Sequence, residues 1–307
     1  MNILVTGGFG FIGRSLVSRL LEEGHDVVVL CRISPEGYDW KNSRSKFKVV
    51  VGDLLNEEAL EKATTGIEQV FHLASSSIPG TSNYHIKADI QSDLMGTINL
   101  LNKCVKNKIK KICYISSGGS IYGNSNSPPI NENAELAPLN SYGILKLTIE
   151  KYLFLYFHLY GLNYIVLRIS NVYGNGGILK PGFSAVDTFI QNFIANKEIK
   201  IFGDGSITRD YIYIDDVVSA IVKALNYSGK ENIFNIGTGI GTSLNELLII
   251  IQSTLFSTSP INFIESRPSD NLINFLDVSK AKNILKWESN IDLIDGIKKT
   301  IELRLLT

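Results

Sequence analysis

Residues 1–13 read MNILVTGGFGFIG, a short apolar run that breaks into spaced glycines. The run Ile3–Val5 predicts a buried strand, and the amphipathic pattern of Phe11-Ile12, Leu16 and Leu20-Leu21 predicts a helix. Between them, Gly7, Gly10 and Gly13 can turn the chain, admit a pyrophosphate to the backbone N–H groups of the helix N-terminus, and let helix and strand pack closely. A glycine turn can also be merely structural. Its position directly after the first strand favours a dinucleotide-binding site.

Strand and helix patterns alternate over the first 170 residues. Apolar runs predict further strands at residues 26–31, 47–51, 69–73, 111–116 and 164–168. Helices are predicted at residues 56–63, 93–106 and 142–160. Strands that are apolar throughout are typical of a parallel sheet with helices on both faces. The predicted fold class is therefore α/β, a Rossmann-type doubly wound parallel sheet, whose ligands bind beyond the carboxyl ends of the strands.

The regular alternation fades after Asn171. A glycine-rich loop follows at residues 174–182, and helices are predicted at 187–197 and 244–255 among short strands. We predict a smaller, mostly C-terminal α/β substrate lobe in this part of the chain. The predicted boundaries are 1–170 for the dinucleotide-binding Rossmann domain, with a return segment near 210–236, and 171–209 with 237–307 for the substrate lobe.

Composition excludes several classes of function. Lys and Arg together number 30, as do Asp and Glu, so no overall charge attracts nucleic acid or an anionic membrane. Glycines interrupt the N-terminal apolar segment, and no other apolar run approaches the ~18 residues of a membrane span. Three cysteines and four histidines are scattered without metal or redox spacing. We expect a cytoplasmic protein with no metal site, no nucleic-acid partner and no membrane partner.

Two residues form the predicted catalyst. Tyr142 and Lys146 are four residues apart, which places them on one face of a helix. A phenol titrates near pH ~10 in water, and a nearby ammonium favours the phenolate and brings the pKa of the phenol toward neutrality. Such a pair alone is more often structural. The run ISSGGSIYG at 115–123, at the carboxyl end of the fifth predicted strand, favours the catalytic interpretation.

Several motifs together resemble those of a known family. In chain order they are Gly7-x-x-Gly10-x-x-Gly13, Gly52-Asp53-Leu54, His72-Leu73-Ala74, Ser116-Ser117…Tyr122-Gly123, Tyr142-x-x-x-Lys146, Arg168-x-x-Asn171-x-Tyr173-Gly174 and Arg209-Asp210-Tyr211. Over nearly its whole length the chain resembles the extended short-chain dehydrogenase/reductases of the NAD-dependent epimerase/dehydratase family. This group acts on nucleotide sugars and includes UDP-galactose 4-epimerases, 4,6-dehydratases and 4-ketoreductases. The resemblance also implies a role in bacterial polysaccharide or O-antigen biosynthesis.

The resemblance implies roles around an NAD(P) cofactor. Tyr142 would exchange a proton with a sugar oxygen, and Lys146 would lower the pKa of the phenol and bind the nicotinamide ribose. Asp53 would contact the adenine amino group, or it is simply a turn residue. His72 either lines the cofactor loop or is a core histidine. The predicted cofactor-binding residues are Gly7, Gly10, Phe11, Ile12, Gly13, Arg32, Asp53, Leu54, Leu73, Ala74, Ser75, Tyr142 and Lys146.

The resemblance also implies contacts to a nucleotide-diphosphate sugar. Arg209 and Arg267 match the family's arginines that bind the diphosphate. A guanidinium fork suits this role because it binds phosphate through two parallel hydrogen bonds. Alternatively, each arginine forms a surface salt bridge. Asn171 matches an asparagine that orients the diphosphate. The predicted substrate-binding residues are Ser117, Tyr142, Asn171, Arg209 and Arg267.

One departure from the family concerns the catalytic hydroxyl. The serine or threonine of the epimerases aligns with Gly118, so Ser117 or Ser120 must replace it. Side chains alternate faces in an extended segment, so Ser120 could face the same way as position 118 and Ser117 would need a kink. Gly119 and Ser120 stand where the dehydratases carry an acidic pair, so dehydration is not expected.

A second departure concerns the choice of cofactor. NAD enzymes of this fold usually end the second strand with an acidic residue, and here Cys31 and Arg32 occupy that place. Arg32 could attract the 2′-phosphate of NADP(H), or it is a solvated loop residue. A third departure is Asp93, where the family often has asparagine.

Two enzymatic hypotheses follow. The leading one is a 4-ketoreductase in which NADPH reduces a 4-keto-6-deoxy nucleotide sugar. The alternative is a 4-epimerase with tightly bound NAD, of the UDP-galactose or UDP-GlcNAc type. A non-catalytic redox sensor is a third possibility, which the intact Tyr142 and Lys146 pair disfavours. The resemblance also implies a homodimer through a four-helix interface formed by residues 93–106 and 142–160 of each subunit.

Overall fold

The computed structural model describes residues 1–33, 46–124, 127–174, 184–266 and 271–306. Arg267 and most of the predicted glycine-rich loop therefore lie outside the described residues. Contacts divide the chain into two compact units. The first unit comprises Met1–Ser116, Asn140–Leu167 and Val218–Phe234, and the second comprises Ser117–Leu139, Arg168–Val217 and Asn235–Thr307. The predicted domain boundaries stay a prediction.

Strands and helices alternate along the chain. The strands are β1 (Asn2–Thr6), β2 (Asp26–Cys31), β3 (Phe47–Val51), β4 (Gln69–His72), β5 (Lys111–Ser117), β6 (Asn163–Ile169), β7 (Asn171–Tyr173), β8 (Ile199–Phe202), β9 (Thr208–Arg209), β10 (Tyr211–Tyr213), β11 (Ile233–Ile236), β12 (Thr242–Ser243), β13 (Ile261–Ile264) and β14 (Ile273–Asn274). The helices are α1 (Phe11–Glu22), α2 (Glu57–Thr64), α3 (Ile86–Asp89), α4 (Gly96–Lys106), α5 (Ser141–Tyr160), α6 (Ala185–Ile194), α7 (Ile214–Asn226), α8 (Leu244–Leu255) and α9 (Leu293–Leu305). Short 3₁₀ or π-helical turns occur at Ser82–Tyr84, Ile90–Met95 and Ala281–Leu285.

A seven-stranded sheet has the order β11-β6-β5-β4-β1-β2-β3. Strand β1 lies between β2 and β4 and pairs with both in parallel, with Val5 opposite Val29 and Phe71. The strand order reverses at β1, and the crevice beyond the carboxyl ends of strands at such a reversal is where doubly wound sheets bind ligands. The fold class predicted from the sequence, a Rossmann-type α/β sheet, is confirmed.

In the first unit, capping residues determine where α2 and α5 begin and where α5 ends. Helix α2 begins where the Asn56 side chain accepts a hydrogen bond from Ala59 N at 2.8 Å. Helix α5 begins at the Asn140 cap and ends at Gly161, whose φ of 69° suits a residue without a side chain. The helix predicted at residues 93–106 differs, because its first turns are the π-helical segment Ile90–Met95 and α4 starts at Gly96.

The second unit contains short strand pairs and the C-terminal helices. Strand β7 pairs in parallel with β10, β9 lies between β12 and β14, and β8 pairs with β13. The fully buried carboxylate of Asp210 accepts hydrogen bonds from the backbone N–H groups of Thr238 at 2.8 Å and Gly239 at 3.1 Å. Asp210 therefore has a structural role in this unit. Across the described parts of the chain, every helix is too short or too polar to span a bilayer.

Candidate active site

The glycine turn after β1 has no room for side chains. Gly7 has a φ of 72°, and a Cβ built on it would lie 2.9 Å from the backbone nitrogen of Ala74. Gly10 N donates to Gly7 O at 2.8 Å, and a Cβ on Gly13 would lie 2.1 Å from that same oxygen. Only glycine satisfies these distances, so the turn brings α1 and β1 together at their closest approach.

This turn fits the pyrophosphate of a dinucleotide. Gly10 is the N-cap of α1, and the first turn, Phe11-Ile12-Gly13, carries no acidic side chain. The partial positive charge of a helix N-terminus without a neighbouring carboxylate attracts an anion. Leu73 and Ala74 follow β4 directly beside the turn, and Ala74 N donates to Thr6 Oγ1 at 3.3 Å. The structure thus groups the predicted residues of this part of the cofactor site.

The ends of β2 and β3 hold the predicted adenosine contacts. Gly52 N donates to Cys31 O at 2.8 Å, which aligns the two strand ends. Arg32 is exposed. One oxygen of the exposed Asp53 carboxylate accepts from Leu55 N at 2.8 Å and Asn56 N at 3.1 Å, so Asp53 forms the turn before α2. Its predicted adenine contact stays a prediction. Leu54 is buried.

We expect Arg32→Ala to weaken NADPH binding by ~1–3 kcal/mol and to leave NADH binding nearly unchanged, because only NADPH carries the 2′-phosphate that the guanidinium would pair with. Titration of the dinucleotide-free protein with each cofactor measures both affinities. Equal losses for the two cofactors would exclude Arg32 from cofactor discrimination.

Tyr142 and Lys146 lie together at the start of α5. Lys146 Nζ is 5.4 Å from the ring centroid of the half-buried Tyr142 and 4.9 Å from that of Tyr114. The ammonium is buried and donates to Ile115 O at 3.0 Å. Burial lowers the pKa of Lys146 to about 8, although the carboxylates of Asp93 and Glu150 oppose this shift. A buried cation beside a phenol can stabilise the phenolate, as the sequence predicted.

The first turn of α5 is held by a segment that the sequence analysis missed. Ser82 Oγ accepts from Tyr142 N at 3.1 Å, and Asn83 Oδ1 accepts from Ser141 N at 2.9 Å. Asn140 Oδ1 accepts from Gly143 N at 2.8 Å. All three N–H groups of the turn that carries Tyr142 therefore have side-chain acceptors. No local pattern joins residues 82–83 to residue 141, since the contact is long-range.

His72 is a core residue rather than a lining of the cofactor loop. Its ring is fully buried and contacts Thr6 Oγ1 at 2.7 Å through Nδ1 and Thr97 Oγ1 at 2.8 Å through Nε2. Thr97 Oγ1 donates to Asp93 O at 2.5 Å, so it accepts from His72, whose Nε2 carries the proton. Burial, reinforced by Lys146, lowers the pKa of His72 to about 3. A neutral histidine thus links β1, β4 and α4.

In the second unit, the side chains of Ser117 and Asn171 both lie near Gly119. A Cβ built on Gly119 would be 3.9 Å from Ser117 Oγ and 3.8 Å from the Asn171 side chain. A Cβ on Gly118 would be 2.5 Å from Leu276 Cδ1 and 3.1 Å from Arg168 O, so a side chain at position 118 would require the Leu276 side chain to shift. Ser117 is partly exposed, whereas Ser120 is buried.

The predicted diphosphate contacts are only partly described. Arg209 ends β9, is partly buried and donates from Nη1 to Thr208 O at 2.9 Å. The amide Nδ2 of Asn171 donates to Asp210 O at 3.2 Å. Arg267 lies outside the described residues.

Known proteins resemble this chain in sequence and in fold. The model of the NAD dependent epimerase/dehydratase family matches residues 3–237. A putative UDP-glucose 4-epimerase of Methanocaldococcus jannaschii is 38% identical over 300 residues, 97% of this chain and 97% of that protein. The dTDP-4-dehydro-6-deoxyglucose reductase of Escherichia coli is 33% identical over 308 residues, 98% of this chain and 96% of that protein. A crystal structure of the Thermotoga maritima UDP-glucose 4-epimerase with UDP-glucose has a TM-score of 0.90 at 36% identity, covering 99% of this chain and 98% of that chain.

The matched region contains the glycine turn and the Tyr142 and Lys146 pair. The family model spans more than half of the chain, and the relatives match it over nearly their whole length. The resemblance predicted from the motifs, the enzyme class and the dependence on NAD(P) are confirmed. This chain is an enzyme and belongs to the NAD-dependent epimerase/dehydratase family.

Proposed function

We propose that this enzyme is an NAD-dependent 4-epimerase of a UDP-activated hexose. The observation that carries the proposal is the buried Lys146 ammonium 5.4 Å from the ring centroid of Tyr142, within a chain that resembles UDP-glucose 4-epimerases over its full length. The sequence alone favoured the 4-ketoreductase slightly. The relatives favour the epimerase, so the reductase becomes the second candidate.

The chain supplies proton transfer and orientation. Tyr142 takes a proton from the C4 hydroxyl and returns it to the C4 oxygen after the bound 4-keto sugar has rotated. Lys146 stabilises the phenolate that this requires, and Ser82 and Asn83 hold the helix turn that carries Tyr142. NAD, when bound, supplies the hydride acceptor and donor for C4. The glycine turn would hold its pyrophosphate.

Substrate contacts come from the second unit. We assign the hydroxyl that replaces the one missing at position 118 to Ser117, because it is partly exposed and, like Asn171, lies near Gly119, whereas Ser120 is buried. Ser117 Oγ would hydrogen-bond a sugar oxygen. Asn171, Arg209 and Arg267 would bind the diphosphate, in which each arginine offers two parallel donors.

The activity should decline in alkaline solution. The pKa of Lys146, lowered by burial to about 8, means that the ammonium is present below this pH and is lost as the pH rises through it. Because the ammonium stabilises the phenolate, we expect kcat to fall by up to about tenfold per pH unit above about pH 8. A profile of kcat at saturating substrate measures this. Lys146→Arg keeps its charge and should lose the decline, and a flat profile for the parent enzyme would contradict the role of Lys146.

A specific observation keeps the reductase as a second candidate. Strand β2 ends at Cys31 and is followed by the exposed Arg32, so the carboxylate that would repel a 2′-phosphate is absent at this position. A relative that matches nearly the whole chain is a reductase. A reductase must exchange its cofactor in every turnover, whereas an epimerase has no need to release NAD. Stoichiometric NAD released on denaturation of the purified enzyme supports the epimerase, and an empty site that prefers NADPH supports the reductase.

We also propose the homodimer. In the described part of the chain, helix α5 exposes apolar side chains to solvent, and their exposed fractions range from 40% to 58%. These residues are Ile144, Phe154, Leu155, Phe157, Leu159 and Tyr160. A molar mass in solution of twice the chain mass supports the dimer, and a monomer at micromolar concentration contradicts it.

The activity test uses UDP-sugars without added cofactor. We expect UDP-glucose and UDP-galactose to give the same mixture from either side, measured by chromatography. Absence of conversion in both directions, together with oxidation of NADPH by a 4-keto-6-deoxy nucleotide sugar, would assign the reductase instead.

A further inference from the structure

Asp93 is a buried carboxylate surrounded by hydroxyl and amide donors. The residue is 6% exposed. Its Oδ1 accepts from Ser76 N at 2.9 Å, Ser76 Oγ at 2.6 Å and Ser92 Oγ at 3.1 Å. Its Oδ2 accepts from Ser75 Oγ at 2.7 Å, Ser77 Oγ at 2.9 Å, and the N–H groups of Ser76 and Ser77 at 3.2 Å each. Apart from the Ser92 hydroxyl, all of these donors belong to one short segment, Ser75–Ser77.

Asparagine at this position would not serve the same purpose. An ionised carboxylate only accepts hydrogen bonds, whereas an amide turns one of its two acceptors into an NH₂ donor. The Ser77 N–H can only donate a hydrogen bond. An amide NH₂ in place of Oδ2 would also be a donor, so this buried pair would have no acceptor between them. Three consecutive serines and an aspartate are therefore matched within this chain.

The segment that Asp93 holds adjoins the glycine turn. Ser75 follows Ala74, whose backbone nitrogen is 2.9 Å from a Cβ built on Gly7. Asp93 itself lies in the π-helical segment Ile90–Met95, and such turns are frequent at functional sites. The carboxylate therefore fixes the loop that follows β4 at the place where we expect the cofactor.

The negative charge of Asp93 also affects the pKa of Lys146 on α5. Burial raises the pKa of Asp93, but the hydrogen bonds from Ser76, Ser75 and Ser77 outweigh it and lower the pKa to about 2, so the carboxylate is ionised at neutral pH. It raises the pKa of Lys146 against the effect of burial. The other titratable groups around Lys146 are His72 on β4, Tyr114 on β5, and Tyr142 and Glu150 on α5.

We propose that Asp93 is a positioning residue that clamps the Ser75–Ser77 segment beside the expected cofactor site. The clamp requires aspartate rather than asparagine because the three hydroxyls of the segment and the N–H groups of Ser76 and Ser77 donate to its two oxygens. Its consequence for turnover rests on the proposed function, whereas the clamp itself does not.

The direct test is amide hydrogen exchange of the substrate-free enzyme. Asp93→Asn should accelerate exchange at the Ser76 and Ser77 N–H groups at least about tenfold, because both donate to the carboxylate. The same variant should move the alkaline decline of kcat to lower pH and leave KM for the sugar nucleotide nearly unchanged. Unchanged exchange at both amides would overturn the clamp, whether or not the enzyme is an epimerase.

Glu150→Gln is the matched control, because it also removes a buried negative charge that raises the pKa of Lys146. It should move the alkaline decline but leave the exchange of Ser76 and Ser77 as in the parent, and acceleration equal to that of Asp93→Asn would overturn the proposal.

If Asp93→Asn does not fold, the double variant Ser75→Ala, Ser77→Ala removes two donors and keeps the charge. It should accelerate exchange of the Ser76 amide at least about threefold, and no acceleration would again overturn the clamp.

Discussion

Tyr142→Phe should lower kcat by at least ~100-fold while the affinity for the dinucleotide stays nearly unchanged. The substitution removes the phenolic oxygen that carries the proton and retains the ring beside Lys146. The backbone contact from Tyr142 N to Ser82 Oγ is kept, so the first turn of α5 should stay in place. Steady-state kinetics and a titration with NAD or NADH measure the two quantities.

The control for this variant is Tyr152→Phe, which removes a phenolic oxygen from the same helix. Tyr152 is partly buried against the apolar core of the first unit and has no proposed part in the reaction. Its kcat should stay within about twofold of the parent. Near-normal turnover in Tyr142→Phe would remove Tyr142 from the mechanism.

Gly13→Ala should abolish retention of the dinucleotide and lower the free energy of unfolding by ~1–3 kcal/mol. The new methyl group would lie 2.1 Å from Gly7 O and 2.7 Å from Gly8 Cα, which are backbone atoms that cannot rotate away. Helix α1 must therefore move from β1, and the turn that would hold the pyrophosphate opens. Denaturant unfolding and the dinucleotide content of the purified protein measure both effects.

Gly80→Ala is the matched control, since a Cβ there has nothing within 4 Å. It should change the free energy of unfolding by less than about 0.5 kcal/mol and leave the dinucleotide bound. If Gly13→Ala behaves like Gly80→Ala, the glycine turn is not a close-packed cofactor cradle.

Features that depend on local order were predictable from the sequence. The glycine turn, strands β2 and β3, the Asn56 cap and the spacing of Tyr142 and Lys146 all follow from residues that are near each other in the chain. The apolar strands also predicted the parallel sheet correctly. These patterns report backbone conformation and periodicity, which neighbouring residues largely determine.

Features that depend on distant residues were not predictable. The packing of Leu276 Cδ1 at 2.5 Å from a Cβ built on Gly118 joins residues that are far apart in the chain. The clamp of Asp93 on Ser75–Ser77 and the hold of Ser82 on Tyr142 N likewise join segments that no periodicity relates. The choice between epimerase and reductase was also open, because the same proton-transfer pair serves both reactions.

The central claim is a redox-neutral cycle in which hydride leaves C4 and returns to it within one active site. Its most direct test is conversion of UDP-glucose carrying deuterium at C4, with no dinucleotide added. We predict that the UDP-galactose formed retains the deuterium at C4. Absence of product, or product that has lost the label to solvent or to an exchangeable cofactor, would contradict the claim.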